Sequence, residues 1–343
     1  CQSNMGESRE RGTRADVAKL AGVSETIVSY VINNNRYVAR DKRKRVEEAV
    51  KELNYRPNNM ARALKGKQSN QLLFIADHIT NEYFSSIVSE MDKYAYDAGY
   101  LISLCANRNT PEFISQVISR QYDGIIVSSA SFPAEYVEQF SQAGIPVVVF
   151  KRIRYHQFSG NVAMLGTGLY EGARKAVRHL IERGCNHIVY ADRISAKGHV
   201  SPPDDLRFGG FVDEMEANGF LVGEENIVCG CHNQEELEEE IKRRLRTGTQ
   251  VDGIFGRNDM IACIAMTAAK QIGLRVPEDV KVIGFDDSSI SRFCSPKLST
   301  ISLKKKEIAK TTVDMLTQMV KGKRVDDVNF DTTLVEREST AVQ

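Results

Sequence analysis

At 343 residues the chain exceeds what one hydrophobic core organises, so two or three domains are expected. Hydrophobic residues at 42% and charged residues at 27% fit an ordinary globular protein, and no uninterrupted apolar run approaches the roughly 18–20 residues of a membrane span. The formal net charge of +1 is unevenly spread: residues 1–67 hold 15 Lys and Arg against 8 Asp and Glu, and the remainder carries −6. A basic head on an acidic body suggests that the head meets a polyanion, although charge alone fits a solvated face as well.

Residues 1–14 lack the apolar segment of a signal peptide, and Cys1-Gln2-Ser3-Asn4 ahead of Met5 reads as a tag remnant, so 1–12 are expected to be disordered. Residues 14–53 read as three short helices. In the first, Val17, Leu20 and Ala21 fall at i, i+3 and i+4 and make one apolar face. Gly22 follows, with the conformational freedom of a left-handed helix exit. Ser24 stands where an N-cap belongs, before a second helix whose Val28 and Val31 face inward and whose Glu25, Thr26 and Tyr30 lie on the opposite side. Asn33-Asn34-Asn35 ends it. A third helix, over about 40–53, puts Val46, Ala49, Val50 and Leu53 on one stripe behind Lys42-Arg43-Lys44-Arg45. Helix, three-residue turn, helix is the geometry that lays a second helix in a major groove; a three-helix bundle that binds a protein fits the spacing too.

The run from Thr13 to Asn70 resembles the headpiece of the LacI/GalR (lactose-repressor) family almost end to end, through DVAKLAGVS, VS–VIN, RKRVEEAVKELNY, RPN and ARAL. The resemblance implies a helix-turn-helix headpiece over 13–57 that reads double-stranded, pseudo-palindromic operator DNA. Glu25, Thr26 and Tyr30 take the base-reading positions, and Ser24, Ser29 and Asn33 take positions that hold phosphates. The family usually has Arg where this chain has Tyr30, which removes a guanine contact worth about 1–3 kcal/mol of discrimination. Glu25 instead accepts from a cytosine amino group, so an operator unlike the commonest family sites is expected. Residues 58–69 match the hinge helix and linker, with Asn58, Arg62 and Leu64 as DNA contacts. Alone that helix is too short to be stable; paired in a dimer on DNA, the family's equivalent of Leu64 wedges into the minor groove. A leucine that merely caps the core is the other reading.

From residue 71 short apolar runs alternate with amphipathic helices. Strands are expected at 72–76, 101–105, 124–127, 147–150, 187–191, 253–255 and 280–285, with helices near 84–98, 111–120, 133–143, 169–183, 205–218, 233–246 and 258–272. That alternation implies parallel sheets covered on both faces, and some 270 residues split best into two doubly wound subdomains with a ligand crevice between them.

The body also resembles the family core, which is periplasmic-binding-protein-like. The matching runs include Asn81-Glu82-Tyr83-Phe84, Asp123-Gly124-Ile125-Ile126, Asn258-Asp259 and Arg337-Glu338-Ser339-Thr340. The resemblance implies three chain crossings, near 159–168, 290–299 and 323–330. It places an N-subdomain at about 70–160 and 299–325 and a C-subdomain at about 165–292 and 328–340, within an effector-binding and dimerisation core of 70–343. It also puts Arg207, Asn258 and Asp286 around the effector from one side and Tyr83 and Phe84 from the other. A surface salt bridge for Arg207 and plain core packing for the two aromatics are the alternatives. Lys151-Arg152 stand where the family often has an acidic residue and Arg, and Arg257 precedes Asn258 where a small residue is usual. Three cations at strand ends favour an effector bearing phosphate or carboxylate, unless these side chains point to solvent.

Gly166-Thr167-Gly168-Leu169-Tyr170-Glu171-Gly172 has GxGxxxG spacing behind a poor strand, a weak dinucleotide signal. There is no GxxxxGK[ST], HExxH or GxSxG, and the six histidines lie in unrelated contexts. The seven cysteines are scattered, with Cys229-Gly230-Cys231 the one close pair, so reduced thiols and no metal or cofactor are expected. An enzyme on this fold and a pure ligand-binding protein are the competing classes; the latter is exported and does not need a basic three-helix head. The expectation is a cytoplasmic, nucleoid-associated homodimeric repressor, with no membrane partner, whose sugar-like or acidic effector changes the angle between subdomains.

Overall fold

In a computed structural model the described residues are 12–34, 36–56, 68–77, 81–246 and 251–341. The chain divides at residues 69 and 70 into two compact units, each described by itself.

The first unit is a three-helix head: α1 (Arg14–Ala21), α2 (Glu25–Asn33) and α3 (Arg40–Glu52). Thr13 and Asp16 cap α1 reciprocally, the Thr13 side chain accepting from Asp16 N and the Asp16 carboxylate from Thr13 N. Gly22 leaves α1 at φ +62°, and Ser24 caps α2 by accepting from Ile27 N. The core is Val17, Ala18, Ala21, Val28, Val31, Val38, Val46 and Ala49. Leu20, expected to face inward, is 48% exposed: the stripe of α1 that meets α2 and α3 runs through 17, 18 and 21, and Ala18 takes the inward place. The hinge-helix residues Asn58, Arg62 and Leu64 lie outside the described residues.

The second unit holds two six-stranded sheets. One contains β1 (Gln71–Ala76), β2 (Leu101–Ala106), β3 (Gly124–Ser128), β4 (Val147–Phe150), β5 (Val162–Gly166) and β11 (Val328–Asn329), in the order β2-β1-β3-β4-β5-β11 and all parallel. The other contains β6 (Ile188–Ala191), β7 (Ile227–Val228), β8 (Gly253–Gly256), β9 (Lys281–Phe285), β10 (Ser299–Leu303) and β12 (Thr332–Val335), in the order β7-β6-β8-β9-β10-β12. Only its last pair is antiparallel among the described strands. Strands buried on both faces explain the near-continuous apolar runs: in β1, Leu72, Phe74 and Ala76 feed one core while Leu73 and Ile75 feed another.

Helices α4 (Glu82–Asp97), α5 (Pro111–Ser119) and α6 (Ala134–Gln142) follow β1, β2 and β3, and α7 (Leu169–Glu182), α8 (Leu206–Ala217), α9 (Gln234–Arg246) and α10 (Asp259–Gln271) serve the second sheet. The one-turn α11 (Ile290–Phe293) follows β9, and α12 (Lys305–Val320) returns to pack along α4 and against β3 and β4. The chain therefore passes between sheets between β5 and α7, between β10 and α12, and between β11 and β12. The first passage, at 167–168, lies inside the range anticipated at 159–168, and the third, at 330–331, lies at the end of the one anticipated at 323–330. The second falls at 303–305, beyond the anticipated 290–299, because β10 hydrogen-bonds to β9 and completes the second sheet before the chain leaves it. Residues 299–303 thus belong with the C-subdomain, and 162–166 and 328–329 with the N-subdomain.

Candidate DNA-reading face and effector cleft

With Val28 and Val31 turned into the head's core, α2 is left with Glu25, Thr26, Ser29, Tyr30 and Asn33 along its outer side. Glu25, Thr26 and Asn33 are exposed, and Ser29 and Tyr30 half-buried. Two neighbours not foreseen in the sequence hold this face in shape. Arg14 Nε lies 2.9 Å from Glu25 Oε2, and the Arg36 guanidinium lies 5.2 Å from the centre of the Tyr30 ring. Asn33 donates from Nδ2 to Ser29 O and Ser29 Oγ, and the Ser24 hydroxyl is committed to capping.

In the second unit both sheets carry the strand order 2-1-3-4-5, in which ligands bind beyond the carboxyl ends of the strands at the switch point. At those ends in the C-subdomain, Arg257 follows β8 directly. Its Nη2 lies 2.7 Å from Asp205 Oδ2, and its Nη1 reaches Asp192 Oδ1 (3.3 Å), Ser201 Oγ (2.5 Å) and Tyr190 Oη (3.1 Å). Burial opposes its charge, but Tyr190, Asp205 and Asp192 raise the Arg257 pKa well above normal. Burial alone would raise the Asp205 pKa; the Arg257 guanidinium and the backbone N–H of Phe208 hold it at about 2. Arg193 adds contacts to Ser201 Oγ (3.2 Å) and Asp205 Oδ2 (3.4 Å).

Arg207, at the start of α8, donates from Nη1 to Arg257 O, lies 3.6 Å from Asp286 Oδ1, and stacks 4.2 Å from the Phe285 ring centre. It is 3% exposed, which removes the surface salt-bridge reading. Asp286 sits at φ +97°, a backbone strain of about 1–3 kcal/mol that its N–H bond to Ile301 O helps to hold. Asn258 caps α10, its Oδ1 accepting from Ile261 N. Beside it, burial and the Asp286 charge raise the Asp259 carboxyl to about 7, against hydrogen bonds from Thr300 and Ser288.

The N-subdomain supplies aromatics. Tyr83 and Phe84 are buried, 5.1 Å apart edge to face, under the Arg152 guanidinium (6.0 and 5.4 Å). Burial raises the Tyr83 pKa, with the Asp286 charge adding to the rise and the Arg152 and Arg207 charges opposing it. Asp77, at the end of β1, accepts from Ser129 Oγ (2.5 Å) and Ala130 N (2.9 Å). Across the gap, Glu82 accepts from Ser289 N (2.8 Å) and Ser289 Oγ (2.7 Å).

The structure thus gathers Tyr83, Phe84, Arg152, Arg207, Asn258 and Asp286 and leaves Lys151 apart. The Lys151 ammonium turns to Asn329 Oδ1 at 3.1 Å. Arg257, read in the sequence as a cation offered to the crevice, is consumed by two carboxylates. Of the three cations, only Arg152 both stays with the aromatic pair and lacks a close carboxylate partner among the described residues, so the three do not make one anion site. Asp192, Arg193, Ser201 and Asp205 were not singled out in the sequence. Asp192 directly follows a predicted strand, a position that should have drawn notice; the pairing of Arg257 with residues more than fifty positions away leaves no local signal. Buried within this cluster, Arg152 Nε, Arg193 Nε, Arg207 Nε and Asp286 Oδ1 have no hydrogen-bond partner among the described residues.

Residues 13–58 match the family model described as bacterial regulatory proteins, lacI family, and residues 177–340 match a periplasmic binding protein-like domain. The chain is 33% identical over 329 residues to an HTH-type transcriptional repressor PurR of Actinobacillus pleuropneumoniae serotype 3 (strain JL03), covering 94% of this chain and 95% of that one. It is 31% identical over 340 residues to a ribose operon repressor of Halalkalibacterium halodurans, with coverage of 96% and 97%. Among solved structures, the Lac repressor dimer bound to operator and the anti-inducer ONPF superposes with a TM-score of 0.79 at 25% identity, covering 97% of this chain and 100% of that one. The chain belongs to the lacI family of bacterial regulatory proteins.

Proposed function

We propose that the chain is a transcriptional repressor that binds operator DNA as a homodimer and is switched by a small, uncharged, hydroxyl-rich effector such as a sugar, held between the two subdomains of its core. One observation carries the DNA half: a single uncovered face of α2 presents Glu25, Thr26, Ser29, Tyr30 and Asn33 on a head with surplus positive charge. Glu25 and Tyr30 read base edges, Ser24, Ser29 and Asn33 meet phosphates, and Asn58, Arg62 and Leu64 belong to the hinge segment. Arg36, stacked on Tyr30, brings a guanidinium to the face that lacks one at position 30.

In the cleft, Arg and Asp alternate, so a ligand meets donors and acceptors together, the match for hydroxyls, each of which donates and accepts. Asp286 Oδ1 is an unsatisfied acceptor and Arg152 Nε, Arg193 Nε and Arg207 Nε are unsatisfied donors among the described residues, and the Asn258 amide adds a donor. Dimerisation has exposed large apolar side chains to draw on, among them Tyr96, Leu101, Leu104, Met260 and Phe293. No described helix is long and apolar enough to cross a membrane. A protein that works on the chromosome belongs in the cytoplasm at the nucleoid, and binding, not catalysis, is its chemistry.

Selection of bound duplexes from a random pool by the full chain tests the first half; enrichment no greater than competitor DNA overturns it. Repeating the selection across a panel of neutral sugars and their phosphates tests the second. A neutral sugar should shift operator affinity, and Asp286→Ala should abolish the shift; a response to phosphorylated sugars alone overturns the neutral-effector reading.

A further inference from the structure

Lys151 and the glycine-spaced run 166–172 are the two sequence features that neither DNA reading nor the effector cleft absorbs. The structure brings them together. Lys151 and residues 166–171 of that run line a cavity of about 440 Å³ with Arg154, Leu206, Asn329 and Phe330. That volume lies within the ~300–1,000 Å³ of small-molecule sites. None of Tyr83, Phe84, Arg207, Asn258 or Asp286 lines it.

Its walls are the places where the two subdomains are joined. Gly166 to Leu169 is the first passage between sheets, Tyr170 lies in the first turn of α7, and Asn329-Phe330 opens the third passage. Arg152–Arg154 meets Asp204–Leu206 in an antiparallel bridge, with Leu206 N on Arg152 O and Arg154 N on Asp204 O. The wall at Gly168 admits no side chain. Its φ is +88°, and a Cβ there would stand 2.5 Å from Thr332 Cγ2 and 2.9 Å from Phe330 O.

The chemistry of the lining is lopsided. Leu169, Leu206, Phe330 and the Tyr170 ring are apolar surface. The Tyr170 ring is fixed between Arg154 and Arg174, with its hydroxyl donating to Asp213 Oδ2 at 2.8 Å. Arg154 is paired with Asp213 and Glu171 with Arg174. Lys151 alone of the lining charges is in no ion pair among the described residues; its ammonium has only the neutral Asn329 amide oxygen. A cation left over beside an apolar chamber fits a molecule with a ring and one oxyanion.

We infer that this cavity is a second ligand site, built into the joint between the subdomains, for a small apolar ring bearing a carboxylate or phosphate. The oxyanion meets Lys151 and the ring lies among Leu169, Leu206 and Phe330. This goes beyond the sugar-binding cleft and does not depend on DNA binding. Because the occupant touches both subdomains, it favours one angle between them and alters what the cleft binds.

Calorimetric titration of the full chain with benzoate, phenyl phosphate, benzyl alcohol and inorganic phosphate tests the inference. Benzoate or phenyl phosphate is expected to bind at one site per chain, at least tenfold tighter than benzyl alcohol or inorganic phosphate. Lys151→Met should weaken that binding at least tenfold, and Leu206→Trp, which fills the chamber, should remove it with the thermal melt intact. Arg207→Ala, in the cleft, should change it less than twofold; if Leu206→Trp fails to fold, the contrast between Lys151→Met and Arg207→Ala still decides. Equal binding of benzyl alcohol, loss of binding in Arg207→Ala with Lys151→Met unaffected, or no saturable binding at millimolar probe would each overturn it. A preference for phenyl phosphate over benzoate, or the reverse, identifies which oxyanion the site takes.

Discussion

The two halves of the core share a strand order and differ in what stands at the ends of their strands. The N-terminal sheet ends in one carboxylate, Asp77, tied to Ser129 and Ala130, with the Tyr83–Phe84 pair alongside. The C-terminal sheet ends in Asp192, Arg257 and Asp286, joined by Arg193, Asp205 and Arg207 from the elements that follow. Aromatic rings have few internal freedoms and grip any apolar face they meet, whereas an ion network offers fixed donors and acceptors at set spacings. In the proposed effector reading, the C-terminal half selects the ligand and the N-terminal half closes on it.

The sharpest way to break this contrast is to remove one carboxylate from each half. Asp205→Ala strips Arg257 of its closest carboxylate and α8 of its cap, and should destabilise the chain by about 3–5 kcal/mol in urea unfolding. Asp77→Ala loses hydrogen bonds but breaks no close ion pair among the described residues, and should cost about 1–3 kcal/mol. Equal losses would mean that the network does not set the halves apart.

Next in size is a pH effect confined to the C-terminal half. The folded-state pKa of Asp259, about 7, lies above that of an unfolded aspartate. The native state therefore holds the proton more tightly, and this contribution is full below about pH 4 and is lost as the pH rises to 7. Asp259→Asn removes that dependence. The stability of the variant relative to the parent should rise between pH 5 and 8 by on the order of 3 kcal/mol; a flat difference would show that the carboxyl is ionised throughout.

The smallest effect sharpens the idea of closure. Glu82 is exposed, and its bonds to Ser289 span the gap, so Glu82→Ala should cost about 1 kcal/mol or less in unfolding. It should nonetheless enlarge the radius of gyration of the ligand-free chain in solution scattering, since the bonds it removes join the two halves. An unchanged scattering profile would assign closure to other contacts.

The fold was readable where the hydrophobic pattern was strong and local. The three head helices and the seven strands expected in the body all appear. Five further strands and two helices were missed, most of them for identifiable reasons. Val162–Gly166 looked poor because its five residues end in glycine, yet pairing with both β4 and β11 holds it. Lys305–Val320 begins with Lys305-Lys306-Glu307, which hides the stripe of Ile308, Ala309, Thr312, Val313, Leu316 and Met319 that packs inward. Val328–Asn329 and Thr332–Val335 are short edge strands whose partners lie far off in sequence. At the site, residue types were legible but charge pairing was not: Arg257 looked free because nothing near it in sequence announces Asp192 or Asp205.

The three passages of the chain between sheets carry a consequence for how the protein is made. The N-terminal sheet waits for β11 at its edge and for α12 against α4, both encoded in the last fifty residues. Five of its strands emerge from the ribosome long before the pieces that cover and close them, exposing Leu72, Phe74 and their neighbours in the interval. A nonsense mutation after β10 would therefore cripple the half that was synthesised first, and neither subdomain can be excised as one continuous stretch of gene.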